Sequence, residues 1–205
     1  LTFAAVDGGF VDNIVVDSLR SLNTGNVLFL RIGERRAGKK GRMNGVTISN
    51  VYAEVPATKP DAGYNYEGPV EDLPRNISPS AIVGMPDAMI ENITLKNIEI
   101  HYPGGGNPHY AKVGLDELDK VPELASNYPE FSMFKELPAW GFYIRHARGI
   151  SMENVKLVCE KKDYRTAVVL DDVQGASFRN LQVTEPGGKK DGIFSYRSTE
   201  IEIKK

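Results

Sequence analysis

A seven-residue phrase recurs five times in this chain and constrains the fold more than any other feature. The copies begin at Asn13, Gly45, Asn92, Gly149 and Gly175. Each has a small or amide residue, then apolar-polar-apolar alternation, one polar residue, an Asn and a final apolar residue; in the first copy we assign Asp17 to the Asn position. Alternation with period two places the apolar side chains on one face of a strand. Asn at a fixed place suits a turn, because its amide tolerates left-handed backbone. The phrase therefore predicts one rung of a solenoid, with amides that hydrogen-bond up the stack.

The spacing of the copies supports a stack of rungs with insertions. The first apolar residues stand at positions 14, 46, 93, 150 and 176, at intervals of 32, 47, 57 and 26 residues. Repeat architectures have periods of about 20 to 50 residues. Taking 26 as a bare rung leaves insertions of about 6, 21 and 31 residues.

A second apolar segment follows each copy and predicts a second strand per rung. These segments begin at Asn26, Ser80, Trp140, Thr166 and Asp191. Short strands stacked rung on rung predict an all-β, right-handed parallel β-helix. An antiparallel sandwich also uses many short alternating strands, but it does not predict the same Asn phrase five times. We expect one domain over residues 1–205, with inserted loops at about 56–79 and 103–138.

The start of the chain predicts a missing neighbour. The alternating apolar residues Leu1, Phe3 and Ala5 predict a strand at the first residue, and no polar capping segment precedes it. The terminal rung of a solenoid exposes its apolar face unless something covers it. We therefore expect this chain to be the C-terminal part of a longer β-helix, or another chain to cover Leu1–Val6.

Composition excludes several kinds of partner and site. The net charge of −2 predicts neither nucleic-acid nor anionic membrane binding. The one cysteine, Cys159, excludes an internal disulfide or a thiolate cluster, and its strand position predicts a buried thiol. The three histidines lack metal-ligand spacing, so we predict no metal and no cofactor.

The insertions and strand ends hold the candidate binding groups. Aromatic and polar residues mixed in Pro-rich loops suit a carbohydrate groove, and equally suit a loop packed against its own domain. The basic run from Arg35 to Arg42 is a solvated loop or a contact with an acidic polymer. Arg145 and His146, which follow the strand containing Tyr143, mark either a rung exit or a cationic strip facing an anionic sugar. Asp171 and Asp172 are adjacent, so only one can face a given groove; a structural turn explains them better than paired catalytic acids.

Several phrases together resemble one family of enzymes. They begin at Val6 (Val-Asp-Gly-Gly), Leu28, Val46, Ser80, Glu91 and Leu137 (Leu-Pro-Ala-Trp-Gly-Phe-Tyr-Ile-Arg-His). In order and spacing they resemble the C-terminal half of bacterial glycoside hydrolase family 28, the polygalacturonase and rhamnogalacturonase relatives. The resemblance implies a pectin-lyase-like right-handed β-helix, inverting hydrolysis of pectin-type polysaccharide, and a periplasmic or secreted location.

The chain departs from that family in the residues that carry catalysis. The family uses aspartates in an Asn-Thr-Asp-like phrase and an Asp-Asp pair, near Gly-His-Gly and Arg-Ile-Lys. This sequence has no Asn-Thr-Asp, Gly-His-Gly or Arg-Ile-Lys, and Asp171-Asp172 lies too close to its end to match the pair. Arg31-Ile-Gly is the nearest phrase to Arg-Ile-Lys, which makes Arg31, with Asp7 on the preceding rung, a groove candidate.

The sequence thus predicts part of a glycoside hydrolase acting on galacturonan or rhamnogalacturonan, with the catalytic aspartates upstream of this chain. The predicted substrate-binding residues are Asp7, Arg31, Tyr143, Arg145 and His146. A non-catalytic polysaccharide-binding module and a structural β-helix that assembles through its exposed end remain the alternatives.

Overall fold

The computed structural model describes residues 1–57, 78–106, 108–110, 113–188 and 192–204. These residues form strands and two short 3-10 helices, Pro108–Tyr110 and Leu115–Lys120. The strands are β1 (Thr2–Ala5), β2 (Phe10–Ser21), β3 (Phe29–Ile32), β4 (Arg42–Glu54), β5 (Ser80–Val83), β6 (Ile90–Gly104), β7 (Ala139–Lys161), β8 (Thr166–Thr184), β9 (Ile193–Tyr196) and β10 (Thr199–Lys204). Most of the inserted loop predicted at 56–79 lies outside the described residues.

The strands form two parallel rows. Row one contains β1, β3, β5, the first parts of β7 and β8, and β9. Row two contains β2, β4, β6, the remainders of β7 and β8, and β10. Every ladder between these strands is parallel, which confirms the predicted all-β parallel fold and excludes the antiparallel sandwich.

The register of row two reproduces the spacing of the repeated phrase. The first apolar residues of the copies lie opposite one another from strand to strand: Ile14, Val46, Ile93, Ile150 and Ala176. Ile201 on β10 continues this column beside Ala176. The sequence intervals are therefore the rungs of a stack, and the longer intervals contain the connections between β3 and β4, β4 and β5, and β6 and β7.

Each phrase contains two left-handed bends, and these explain its fixed residue types. The first bend falls on the small or amide residue, such as Asn13 (φ 55°) or Gly45 (φ 75°), and the second on Asn50 (φ 55°) or Asn97 (φ 54°). Glycine and asparagine adopt positive φ most readily. Because Leu19 lies opposite Val51, the residue in register with Asn50 is Ser18 (φ 59°). The assignment of Asp17 to the Asn position was therefore wrong by one residue.

The predicted amide stack is present at the second bend. Nδ2 of Asn97 donates to Oδ1 of Asn50 at 3.0 Å, and Nδ2 of Asn154 donates to Oδ1 of Asn97 at 3.1 Å. Asn180 continues the chain by donating to Asn154 at 3.0 Å. At the first rung, Asn50 donates to the Asp17 carboxylate at 2.8 Å. Asp17 therefore accepts the last hydrogen bond of the amide stack, although it does not occupy the bend.

Replacement of Asn97, in the middle of this stack, tests both roles of the bend residue. Asn97→Ala removes two amide hydrogen bonds and replaces a residue that tolerates left-handed backbone by one that disfavours it, so we expect about 2 kcal/mol less stability. Asn97→Gly removes the same bonds without the backbone strain and is expected to cost less. Urea unfolding of both variants measures the difference. Equal losses would mean that backbone strain contributes nothing at this bend.

The main hydrophobic core lies between the two rows. Inward-facing residues of row one, including Leu30, Ile82 and Ile144, contact inward-facing residues of row two, including Ile93 and Leu95, and all are buried. Because side chains alternate along a strand, the residues between them in row one face outward. Three of the five predicted binding residues, Arg31, Tyr143 and Arg145, lie on this outer face of row one.

Candidate functional site

An insertion covers the outer face of row one. Residues 113–137 place Leu118, Val121 and Phe134 against the outward-facing Phe29 and Tyr143, with other apolar residues in the same buried cluster. This is the second of the two roles that the sequence allowed for the loop at 103–138, that of a loop packed against its own domain.

Four of the five predicted binding residues lie beneath or beside this insertion. Arg31 on β3 and Arg145 on β7 both lie opposite Val83 on β5, so the two arginines share one column across three rungs. Tyr143 is two residues before Arg145 on the same outer face, and His146 follows it at the corner. All four are buried. The structure therefore brings them together but leaves none freely exposed to a polysaccharide.

Arg31 holds the insertion through backbone carbonyls. Its guanidinium donates to the carbonyl oxygens of Gly84 at 3.1 Å and Leu124 at 3.3 Å, and also to that of Glu123. It lies 5.4 Å from the ring centre of Phe134. Burial lowers the pKa of Arg31 to about 10, partly opposed by the negative charge of Glu123. The hydrogen bonds of the Arg31 guanidinium thus join β3, the end of β5 and the insertion.

Arg145 connects the insertion to the next rung. It donates from Nη1 to the carbonyl oxygen of Val121 at 2.7 Å, and its Nη2 lies 2.8 Å from Oε1 of Glu123. Its Nε lies 3.2 Å from Oδ2 of Asp171 as a charge pair, without the alignment of a hydrogen bond. The arrangement joins the insertion, β7 and β8 by a buried arginine.

Asp171 is the buried anion of this network, with 0% of its surface exposed. It accepts hydrogen bonds from the hydroxyl of Tyr143 at 3.0 Å and from Nη2 of Arg197 at 2.9 Å. Burial, followed by the negative charge of Asp171, raises the pKa of Tyr143 well above its usual value. Asp171 contacts two arginines and a tyrosine and is shielded from solvent. These surroundings indicate a structural role for its carboxylate.

His146 lies between two carboxylates from different elements. Its Nδ1 is 2.6 Å from Oδ2 of Asp172, at the next corner, and its Nε2 is 3.1 Å from Oε1 of Glu123. Burial alone would raise the pKa of Glu123, but the hydrogen bond from His146 and the charges of Arg145 and His146 lower it below its usual value. Asp172 has left-handed backbone (φ 56°), as the predicted turn requires.

Asp7 belongs to a separate, exposed surface. It pairs with Arg35 at 3.8 Å, and Arg35 in turn lies 5.7 Å from the ring centre of Tyr128. The Tyr128 side chain is 73% exposed, although its segment is anchored by a hydrogen bond from the Glu34 amide to the Ala125 carbonyl oxygen. Arg31, the groove candidate named with Asp7 from the sequence, lies instead among the buried residues beneath the insertion.

The basic run is only partly neutralised. Lys40 pairs with Asp87, and Arg42 pairs with Asp12. Arg36 and Lys39 are exposed, and neither has a carboxylate partner among the described residues. We define the corner patch as Asp7, Arg35, Arg36, Lys39 and Tyr128.

The sequence did not identify Glu123, which contacts both Arg145 and His146, or Asp119, which pairs with Arg197 at 2.6 Å. Asp119 lies on the short helix Leu115–Lys120. The only available signal for Glu123 was a carboxylate in a Pro-rich insertion, which is too general to single it out.

The environment of Cys159 is that of a structural residue. Its side chain is buried, as predicted, and burial raises the pKa of the thiol to about 12. Within the described ranges, no cluster of His, Cys, Asp and Glu has metal-binding geometry. No helix in the described part of the chain has the length and apolar character needed to span a membrane.

Comparisons with protein-family models, curated proteins and solved structures find no match to this chain.

Proposed function

We propose that the chain is part of a right-handed parallel β-helix and belongs to a glycoside hydrolase acting on pectin-type polysaccharide, to which the corner patch contributes a binding surface for acidic sugars. The finer fold assignment is supported by the rung length: Ala176 lies 26 residues after its partner Ile150, and Ile201 lies 25 residues after Ala176. Two bends per rung and the phrases that resemble glycoside hydrolase family 28 support it further.

The observation that carries the binding proposal is the combination of Tyr128 and Arg35. An exposed aromatic ring offers an apolar face for a sugar ring, and the guanidinium beside it offers donors for a carboxylate. Arg36 and Lys39, exposed on the same loop, add positive charge. A polymer of galacturonate-type sugars presents both the rings and the carboxylates that such a patch fits.

The three carboxylates of this network, Asp171, Glu123 and Asp172, do not have the surroundings of an acid and a base for inverting hydrolysis. In that mechanism two carboxyl groups stand about 6.5–9.5 Å apart, one protonated and one activating water. Here Asp171 is buried against arginines, and Glu123 and Asp172 both contact His146. This observation favours a second candidate function, a non-catalytic polysaccharide-binding module, and we assign no catalytic residue within the described ranges.

Binding to polygalacturonate, rhamnogalacturonan and a neutral galactan tests the proposal. We expect binding to the acidic polymers that weakens as salt is added, because exposed charges are screened. Tyr128→Ala and Arg35→Ala are each expected to weaken it by about fivefold to tenfold, as for anchor residues of an interface. Isothermal titration calorimetry or affinity electrophoresis measures the loss.

Arg179→Ala is the matched control, because Arg179 is an exposed arginine on the row-two part of β8. It removes the same charge and should leave affinity unchanged. Equal affinity for neutral galactan, or full affinity in Tyr128→Ala, would refute the proposed surface. Release of reducing ends by the full-length protein would support the hydrolase, and binding without release would favour the non-catalytic module.

A further inference from the structure

We propose that Glu123, His146 and Asp172 form a pH-sensitive clamp that fastens the segment 121–128 to the solenoid while the imidazole is protonated. The clamp depends on the proposed function only for what it regulates, which is the position of Tyr128 in the corner patch.

The clamp joins three elements. Glu123 comes from the insertion, His146 from β7, and Asp172 from β8 on the next rung. The imidazole is buried, with both nitrogens on carboxylate oxygens at 3.1 and 2.6 Å. The side chains of Glu123 and Asp172 are partly exposed, at 32% and 28%. Protons can therefore reach the clamp although the ring itself is covered.

Counting donors shows why the contact depends on charge. A neutral imidazole carries one N–H and one lone pair, whereas the imidazolium carries two N–H donors. With two carboxylates facing the two nitrogens of His146, only the imidazolium donates to both. Loss of the proton turns one of these contacts into a lone pair facing an anion, which removes an attraction and adds a repulsion.

Arg31 and Glu123 keep their charge across the range in which an imidazole ordinarily titrates. Imidazole ordinarily changes charge between about pH 5 and 8. Arg31, with a pKa of about 10, remains a cation, and Glu123, with a lowered pKa, remains an anion. The charged groups nearest the clamp on the packed elements are Arg31 on β3, Arg145 on β7 and Asp171 on β8. Behind Asp171, Arg197 after β9 pairs with it and with Asp119 on the insertion.

The clamp acts on the corner segment and leaves the body of the insertion in place. Leu118 and Phe134 remain buried in the apolar cluster whatever the charge of His146, and lifting each would cost about 1.5–3 kcal/mol. Val121 belongs to the same cluster and Leu124 packs against it, so the segment 121–128 is held by these apolar contacts and also by polar ones: those of Glu123, those of Arg31 and Arg145 to carbonyl oxygens, and the bond between Glu34 and Ala125. Deprotonation of His146 weakens the polar contacts and therefore loosens this segment, which carries Tyr128.

Hydrogen exchange followed by mass spectrometry between pH 5.5 and 8.5, corrected for intrinsic exchange rates, tests the clamp. In the wild-type protein we expect protection of the amides in 121–128 to fall about tenfold at the alkaline end, as one charge-assisted contact is lost. His146→Asn removes the titrating group but keeps a residue that tolerates the left-handed backbone at this position (φ 48°). Protection in this variant is expected to be lower and independent of pH.

His101→Asn is the matched control. Its ring nitrogens also lie between two carboxylates, those of Glu99 and Glu160, at 2.9 Å each, but on β6 in row two. The hydrogen bond with Glu160, opposed by burial and aided by Glu99, raises the pKa of His101. This variant should keep the wild-type pH dependence in 121–128.

Corrected protection that does not change with pH in the wild type, or a pH dependence that persists in His146→Asn, would overturn the clamp. If His146→Asn does not fold, Glu123→Gln tests the same contact by removing the charge of its partly exposed carboxylate. Protection of the amides in 121–128 is then expected to be independent of pH. The experiment contains no polysaccharide, so its failure leaves the proposed binding surface standing, and failure of the binding test leaves the clamp standing.

Discussion

Replacing Asp171 by alanine is expected to lower the free energy of unfolding by about 3–5 kcal/mol, the usual cost of removing one partner from a buried ionic network. Asp171 is fully buried and neutralises Arg145 and Arg197 while accepting from the hydroxyl of Tyr143. Among the residues that the structure describes, its loss leaves Arg145 with Glu123 as its one anionic partner, beneath the insertion. Urea unfolding at pH 7 measures the change.

Asp172→Asn is the control for this prediction, because it alters the neighbouring carboxylate on the exposed side of the corner. Asn keeps the left-handed backbone at this position (φ 56°) and an oxygen near His146, so we expect a loss of about 1 kcal/mol or less. Similar losses in the two variants would contradict the buried network. A loss confined to Asp171 would support the structural role over a catalytic one.

The repeated phrase predicted the row-two register because its information is local. Period-two alternation fixes which side chains point inward, and the bend residues fix where each strand changes direction. The opposed residues Val46, Ile93 and Ile150 follow directly from that pattern. Long insertions do not disturb the register, since closing a longer loop costs little additional free energy.

The misassignment of Asp17 shows where reading by residue type fails. Asp and Asn both favour turns, so Asp17 was the more attractive match to the later asparagines. The register is instead set by the apolar residue that follows, Leu19 over Val51, and this puts Ser18 at the bend. Packing of the core decides the alignment, and the polar residue at the bend adapts to it.

The candidate site could be predicted only in part. The sequence proposed Arg31, Tyr143 and Arg145 as binding candidates, and the structure puts all three on the outer face of row one. The path of the insertion over that face could not be predicted, because residues such as Leu118 and Phe134 occur without strand or helix periodicity. Glu123 obtains its partners only from this path, so neither the clamp nor the burial of the arginines was visible in the sequence.

Replacing Phe178 by alanine is the second large effect that we expect, with a loss of about 3–5 kcal/mol. Phe178 is 0% exposed and belongs to the main core. It lies between Met152 on the preceding rung and Ile203 on the next. The strand that carries Phe178 cannot move to close this gap, because β8 is held by hydrogen bonds to both β7 and β10. Most of the cavity should therefore persist, and its cost adds to the lost burial.

Phe10→Ala provides the matched control on the same row. Phe10 begins β2, is 74% exposed, and contacts the guanidinium of Arg42 at 5.2 Å from its ring centre. Its removal should cost no more than about 1 kcal/mol, the size of an exposed cation–π contact. A small loss in Phe178→Ala, close to that of Phe10→Ala, would mean that the rungs repack around the gap. The stack would then be held together by its backbone ladders and amide column more than by its core.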